Sequence, residues 1–220
     1  MDKKVTIVNR EHSVFSQFLY ELREHSIQQD RMRFRKNLLR CSQILAYEVS
    51  KSLNYEARTV KTPLGELEMQ LPGEQPVLIS VLRAGIPMHQ GFLDYFDDSD
   101  SGFIGAYRQK TKGNDLVIKV EYAALPSVKD RTVILIDPMI ASGHSTVLCA
   151  QAIAPAHGIP SKLILASLIA SEEGLDYVRR QLPNALVFVG AVDNELTARA
   201  YIVPGLGDAG DLAYGSKTSV

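Results

Sequence analysis

At 220 residues, 45% hydrophobic and 22% charged, the chain has the makings of one packed domain and none of the bias of a disordered or fibrous polymer. A formal net charge of −1 argues against nucleic acid and membrane surfaces as partners, because both ordinarily leave a basic excess or patch. The five histidines and two cysteines show no HxxxH or CxxC spacing, so zinc-type ligand patterns are absent, and Cys41 and Cys149, far apart in helix-like stretches, are expected as reduced core thiols.

The opening MDKKVTIVNR holds no long apolar run, so neither a signal peptide nor a transmembrane helix is expected, and a cytoplasmic location is the default. Val14, Phe15, Phe18, Leu19 and Leu22 then fall at helical spacing behind Ser13, a good N-cap. RFRKNLLRCSQILAYEVSKSL continues with Phe34, Leu38, Leu45 and Val49 on one face. YEARTVKTPLGELEMQL alternates on either side of Pro63-Leu64-Gly65 and predicts a β-hairpin. From Val77 the rhythm changes to near-continuous apolar runs: VLISVL, GFIGAY, TVILID, LILASLIA and ALVFVGAV. Such runs belong to strands buried on both faces of a parallel sheet, and helix-like stretches separate three of them. LVIKVEYAAL is less regular, with Lys119 and Glu121 alternating against Val120 and Tyr122, and predicts an arm or flexible hairpin. Nothing repeats and no linker interrupts the chain. The expected fold class is therefore α/β, a mostly parallel central sheet flanked by helices.

VILIDPMIASGHST, Val133 to Thr146, carries the first functional signal. A buried strand ends on Asp137, a small-residue loop follows, and a helix is predicted from about Ser145. In open parallel sheets ligands collect outside the carboxyl ends of the strands. Ala141, Ser142, Gly143 and Ser145 are small enough to let backbone N–H groups turn inward, and the helix aims its positive end at the same place, which suits a phosphate. Asp137 suits hydrogen bonds from sugar hydroxyls. Taken alone, the loop equally fits an ordinary strand–turn–helix with Asp137 as a cap, while a Walker A loop is excluded by the missing lysine.

Arg83, beside Gly85 after the strand Val77–Leu82, and Arg108, after a strand near Phe103–Ala106, put planar, permanently charged forks at two further strand ends. Singly, each is an ordinary surface charge; together they form a clamp for a second anionic group. In YIVPGLGDAGD, Tyr201 to Asp211, glycines and a proline fix an irregular backbone that a ligand can approach closely around Asp208. Ile202, Val203, Leu206 and Leu212 are interleaved and need burial, which sets this segment apart from a disordered tail.

Together, VILIDPMIASGHS, LRAGIPM, YRQ and YIVPGLGDAGD resemble the uracil phosphoribosyltransferases, a branch of the type I phosphoribosyltransferases, in order from about Arg33 to the C-terminus. The last motif is the most specific, since the related purine and orotate enzymes lack it. The resemblance implies a single domain over residues 1–220: helices and a hairpin over 1–75, a parallel-sheet core over 76–192, and a uracil-binding hood over 193–220. It implies transfer of phosphoribosyl from phosphoribosyl diphosphate to uracil, giving UMP and diphosphate in pyrimidine salvage. Asp208 and Arg108 would be catalytic. Ala141 to Ser145 would cradle the 5′-phosphate, with Pro138, Met139 and Ile140 in the same binding stretch, and Asp137 would hold the ribose hydroxyls. Arg83 and Arg108 would grip the diphosphate, and Asp208 would lie near the anomeric carbon. Ile202, Gly207, Asp208 and Ala209 would meet uracil, chiefly through backbone groups. The arm from Gln109 to about Pro126 would be a mobile hairpin over the site. Mg²⁺, bound mainly through substrate oxygens, a homodimer or higher homo-oligomer, and GTP binding come with the resemblance; whether a nucleotide such as GTP activates is left open.

Three departures stand out. The family loop usually reads Ala-Thr-Gly-Gly-Ser, whereas here it is Ala141-Ser142-Gly143-His144-Ser145. Ser142 keeps a hydroxyl; His144 replaces a glycine and either restricts the loop or adds a donor. Gln109 stands in place of an aspartate after YR, and VDNELTARAY departs from the more usual LDERLNEHGY while keeping Asp193. Two other classes remain open on the residues: a nucleotide-sensing regulator that binds RNA or DNA, and a sugar-phosphate-binding subunit without turnover. The lack of a basic patch and the intact tail favour the enzyme.

Overall fold

In the computed structural model, residues 4–110 and 116–216 are described, without the side chains of residues 107–110, 116–119 and 121. Strand β1 (Val5–Ile7) opens the chain, followed by helix α1 (Val14–Arg23), where the Ser13 hydroxyl accepts the Phe15 N–H at 3.3 Å as the expected cap. A short α2 (His25–Gln28) leads to α3 (Arg31–Ser50), capped by Asp30 through the Arg33 N–H at 3.0 Å. Helices α1 and α3 are tied by buried Glu21, whose carboxylate accepts from Arg33, Asn37 and Gln17 and is held down at about 2 by those bonds. The hairpin of β2 (Tyr55–Thr62) and β3 (Gly65–Pro72) turns at Pro63-Leu64, as its alternation predicts.

The α/β core follows: β4 (Val77–Leu82), α4 (Gly85–Leu93), β5 (Ser101–Lys110), β6 (Leu116–Ala124), β7 (Thr132–Ile136), the two-residue β8 (Met139–Ile140), α5 (His144–His157), β9 (Lys162–Ser171), α6 (Glu172–Gln181) and β10 (Leu186–Asp193). The tail holds a small antiparallel pair, β11 (Glu195–Leu196) and β12 (Ile202–Val203), and a last helix α7 (Ala209–Tyr214). The main sheet runs β1-β10-β9-β7-β4-β5-β6, with β8 added beside β9. Every pair is parallel except β5–β6, the base of the expected arm. The mostly parallel α/β class expected from the apolar runs is the class observed. β1 is an addition: a three-residue strand inside MDKKVTIVNR, it joins the sheet edge by pairing with β10.

Alternation along the strands separates two cores. Leu78, Ile134, Ile136, Ile164, Ala166 and Phe188 face one side, packing with Phe15, Leu22, Phe34, Leu38, Leu45, Met88 and Phe92 of α1, α3 and α4. Val77, Ile79, Val133, Leu135, Leu165, Val187 and Val189 face the other, against Val147, Cys149, Ile153, Leu175 and Val178 of α5 and α6. Side chains of this size stabilise by about 1.5–3 kcal/mol each when fully buried, so the two layers together make the sheet a rigid mount for whatever its carboxyl ends carry. Cys41 and Cys149 are buried free thiols, and burial pushes Cys149 up to about 12.

Candidate active site

β7 and β4 are neighbours, paired up to Ser80 against Ile136, so their carboxyl ends deliver Asp137 and Arg83 to one edge of the sheet. Asp137 is half-buried. Among the described residues its Oδ1 accepts only a long bond, 3.4 Å from the Met139 N–H, and desolvation raises the carboxyl to about 7. An acceptor so thinly satisfied is suited to receive hydroxyl donors. Pro138, Met139 and Ile140 serve the loop by anchoring it: the Pro138 carbonyl accepts from the Leu168 and Ile169 N–H groups, β8 pairs with β9, and the Met139 and Ile140 side chains join the two opposite cores.

The loop Ala141–Ser145 ends in α5, which begins at His144, one residue before the expected start, with Gly143 as a left-handed N-cap. The first N–H groups of a 14-residue helix have no partners within it, and they collect here. A second helix braces the loop. Ser171, the α6 cap, donates from its hydroxyl to the Ala141 carbonyl at 2.6 Å and accepts the Gly174 N–H at 2.8 Å. Gly174 is required by this approach, because a Cβ there would lie 2.0 Å from the Ala141 carbonyl oxygen. The His144 ring stacks on Tyr177 of α6, and its Nδ1 lies 3.2 Å from Ser142 Oγ.

Arg83 is turned toward the tail. Its Nη2 donates to Asp211 Oδ1 at 3.1 Å and to the Gly215 carbonyl at 3.0 Å, while Nε is buried without a partner among the described residues. Arg108 lies on β5, next to β4, and its side chain is outside the described residues. In the tail, Asp208 caps α7 by accepting the Asp211 N–H at 3.0 Å and is exposed. Asp208 Oδ1 and Arg83 Nη2 both approach the point a Cβ on Gly210 would occupy, at 3.2 and 3.8 Å. Ile202 and Ala209 are buried, in the same cluster that Met139 and Ala141 pack against, and Gly207 has a positive φ. A cleft of about 900 Å³ adjoins the tail, lined by Gly207, Asp208 and Asp211 with Gln28, Asp30, Arg31 and Arg35 of the N-terminal helices. The structure thus joins loop, arginine and tail on one edge. Ser171, Gly174 and Tyr177, which brace the loop, carry no local motif of their own, and Asp211, though inside the tail motif, is given no role by it.

Phosphate-type loop, sugar-type carboxylate, arginine and glycine-rich tail occur together in the region matched by one family description, uracil phosphoribosyltransferase, over residues 8–216. The chain belongs to the uracil phosphoribosyltransferase family. A uracil phosphoribosyltransferase of Porphyromonas gingivalis is 44% identical over 215 residues, covering 97% of this chain and 99% of the relative. One from Thermococcus gammatolerans is 36% identical over 203 residues, covering 91% and 88%. The solved structure of the AQ2163 protein from Aquifex aeolicus superposes with a TM-score of 0.83 at 28% identity, covering 98% of this chain and all of that one. The family description matches residues 8–216, from the N-terminal helices through the hairpin and sheet to the tail, so the family assignment applies to nearly the whole chain.

Proposed function

We propose that the protein transfers the phosphoribosyl group of phosphoribosyl diphosphate to uracil, yielding UMP and diphosphate. What supports the reading beyond family membership is that Arg83, at the end of β4, pairs with Asp211 of the tail, which brings a candidate anion-binding fork next to the proposed base-binding segment. In this reading the α5 N-terminus and Ala141–Ser145 hold the 5′-phosphate, Asp137 accepts from the ribose hydroxyls, and Arg83 and Arg108 grip the diphosphate. The bond from C1 to diphosphate breaks with its electron pair leaving on the diphosphate, and the bond from uracil N1 to C1 forms. Asp208 is the carboxylate that receives the N1 proton, directly or through water. Because charge develops on the leaving group, fixed cationic donors and alignment of the base supply the acceleration.

Mg²⁺ belongs to the same proposal. Among the described residues no three of His, Cys, Asp and Glu cluster as a metal cage, and an ion held chiefly by substrate oxygens and water needs none; Asp137 is the side chain that fits a contact to it. When bound, the ion would add positive charge beside the diphosphate. A homodimer or higher homo-oligomer is supported by the β2–β3 hairpin, whose Val60, Leu67, Met69 and Leu71 share one face, with Leu67 and Met69 exposed; two strands alone are at best marginal in water. A cytoplasmic location is in keeping with salvage chemistry and with the lack, among the described residues, of a helix long and apolar enough to cross a membrane. GTP binding rests on the resemblance alone. The reaction is tested by incubating purified protein with Mg²⁺, phosphoribosyl diphosphate and uracil and following UMP and diphosphate. Equal amounts of both products support it; absence of UMP, or retardation of a nucleic acid instead, rejects it.

A further inference from the structure

Ile202 and Gly207, the residues read above as meeting uracil, lie on either side of a turn at Pro204–Leu206 that is held by side chains from distant parts of the chain. Arg23 closes α1 and Asp193 closes β10, and they form a two-pronged ion pair, Nη1 to Oδ2 at 2.8 Å and Nη2 to Oδ1 at 2.9 Å. The same two groups grip Gly205. Asp193 Oδ2 accepts its N–H at 3.0 Å, and Arg23 Nη1 donates to its carbonyl at 3.2 Å. One residue on, the Leu206 carbonyl accepts from Gln28 Nε2 at 3.2 Å, and that amide is itself held by the Leu22 and Arg23 carbonyls at 2.8 and 3.2 Å. Asp193 and Gln28 are both buried.

We infer that Arg23, Asp193 and Gln28 are positioning residues for the base: they fix the turn that aims the uracil-reading backbone. This rests on the proposed reaction. Charge-assisted, bidentate bonds in a poorly solvated place are strong and directional. The turn at Gly205 is tight, with φ at +60° and a Cβ on it falling 2.2 Å from the Ile202 carbonyl oxygen, so the groups that grip Gly205 set the backbone at Ile202 on one side and Gly207 on the other. None of the bonds made by the three side chains among the described residues runs to Arg83 or to Ala141–Ser145. Their loss should weaken base binding while sparing the phosphoribosyl side.

The test uses Arg23→Lys, which keeps the charge but loses the fork, and Gln28→Met, which keeps the volume, leaves the ion pair intact and loses the donor. Michaelis constants for both substrates are measured, with cytosine as a competing base. The expected result is a rise of about tenfold in KM for uracil, the fold-change of one lost hydrogen bond, with KM for phosphoribosyl diphosphate unchanged and poorer rejection of cytosine. Should Arg23→Lys fail to fold, Gln28→Met carries the same test. Amide exchange at Gly205–Gly207 gives a readout independent of turnover: it accelerates in the variants when the clamp holds the turn. A wild type that made no UMP would strike the proposed reaction and leave this readout standing. Equal rises in both Michaelis constants, or unchanged exchange and KM in a folded variant, would overturn the inference.

Discussion

His144 lies nearly flat against Tyr177, ring centroids 4.1 Å apart and planes inclined by 23°. The contact puts the imidazole on the α6 side of the phosphate-type loop, where the family's usual glycine has no side chain. His144→Gly should therefore keep kcat/KM for phosphoribosyl diphosphate within about tenfold, a change of about 1.4 kcal/mol, because in the proposed reading backbone N–H groups do most of the holding. The lost ring pair should lower stability by about 1 kcal/mol. Steady-state kinetics and thermal melts check both, and a larger kinetic loss would give the imidazole a direct part in phosphate binding.

Arg83→Ala separates substrate binding from stability. The Arg83–Asp211 pair is 34% and 38% exposed, so its worth to the fold is about 1 kcal/mol or less. A charge-assisted bond to bound diphosphate is worth about 1.5–3 kcal/mol. The variant should melt close to wild type yet lose activity by one to two orders of magnitude, about what that range converts to. Unchanged kinetics would reduce Arg83 to a tether for α7.

Base choice should follow the main chain. Uracil offers a carbonyl at position 4 and an N–H at position 3, which in the proposed reading meet a backbone N–H from Gly207–Ala209 and a carbonyl near Ile202; there cytosine would set donor against donor and acceptor against acceptor. Buried mispairing of that kind discriminates by about 10⁴. In the proposed reading the carboxylate serves the reacting nitrogen and the backbone reads the base, so Asp208→Asn should lower turnover without admitting cytosine. Comparable use of both bases by the wild type would reject this account of the tail.

Asp137 makes a prediction in pH. Burial raises its folded-state value from 3.8 to about 7, so between those limits the folded protein binds more protons than the unfolded chain. Its contribution to stability is therefore favourable at the acid end and falls as pH rises, with the full penalty present above about 7. Asp137→Asn removes the penalty: its melting temperature relative to wild type should be higher at pH 8 than at pH 5, while activity drops for want of the hydroxyl acceptor. A pH-independent difference would show that Asp137 is better solvated than its setting implies.

Much of this molecule is legible locally. Ser13 and the spacing behind it mark α1, Pro63-Leu64-Gly65 marks the hairpin, and the apolar runs mark β4, β7, β9 and β10, because each signal lies within one element. Three-residue β1 is too short for any period to emerge. The loop at Asp137–Ser145 and the tail at Tyr201–Asp211 show in their composition, but what holds them does not. Ser171 reaches Ala141 across 30 residues, Arg83 reaches Asp211 across 128, and Arg23 reaches Asp193 across 170. Such partners are chosen by the sheet order, which brings β4, β7, β9 and β10 together, and no local pattern records that order.

The division of the sheet into two apolar layers also acts as a ruler. β7 contributes Val133 and Leu135 to one layer and Ile134 and Ile136 to the other, so a slip of one residue against β9 would send every one of them to the wrong side. The same slip would start the Asp137 loop one residue out of phase with α5 and with the Ser171–Gly174 brace. Inserting or deleting a single residue in β7 is therefore a change of aim as much as of packing, and the phase of the strand, held by apolar side chains that never meet a substrate, decides where the reactive edge begins.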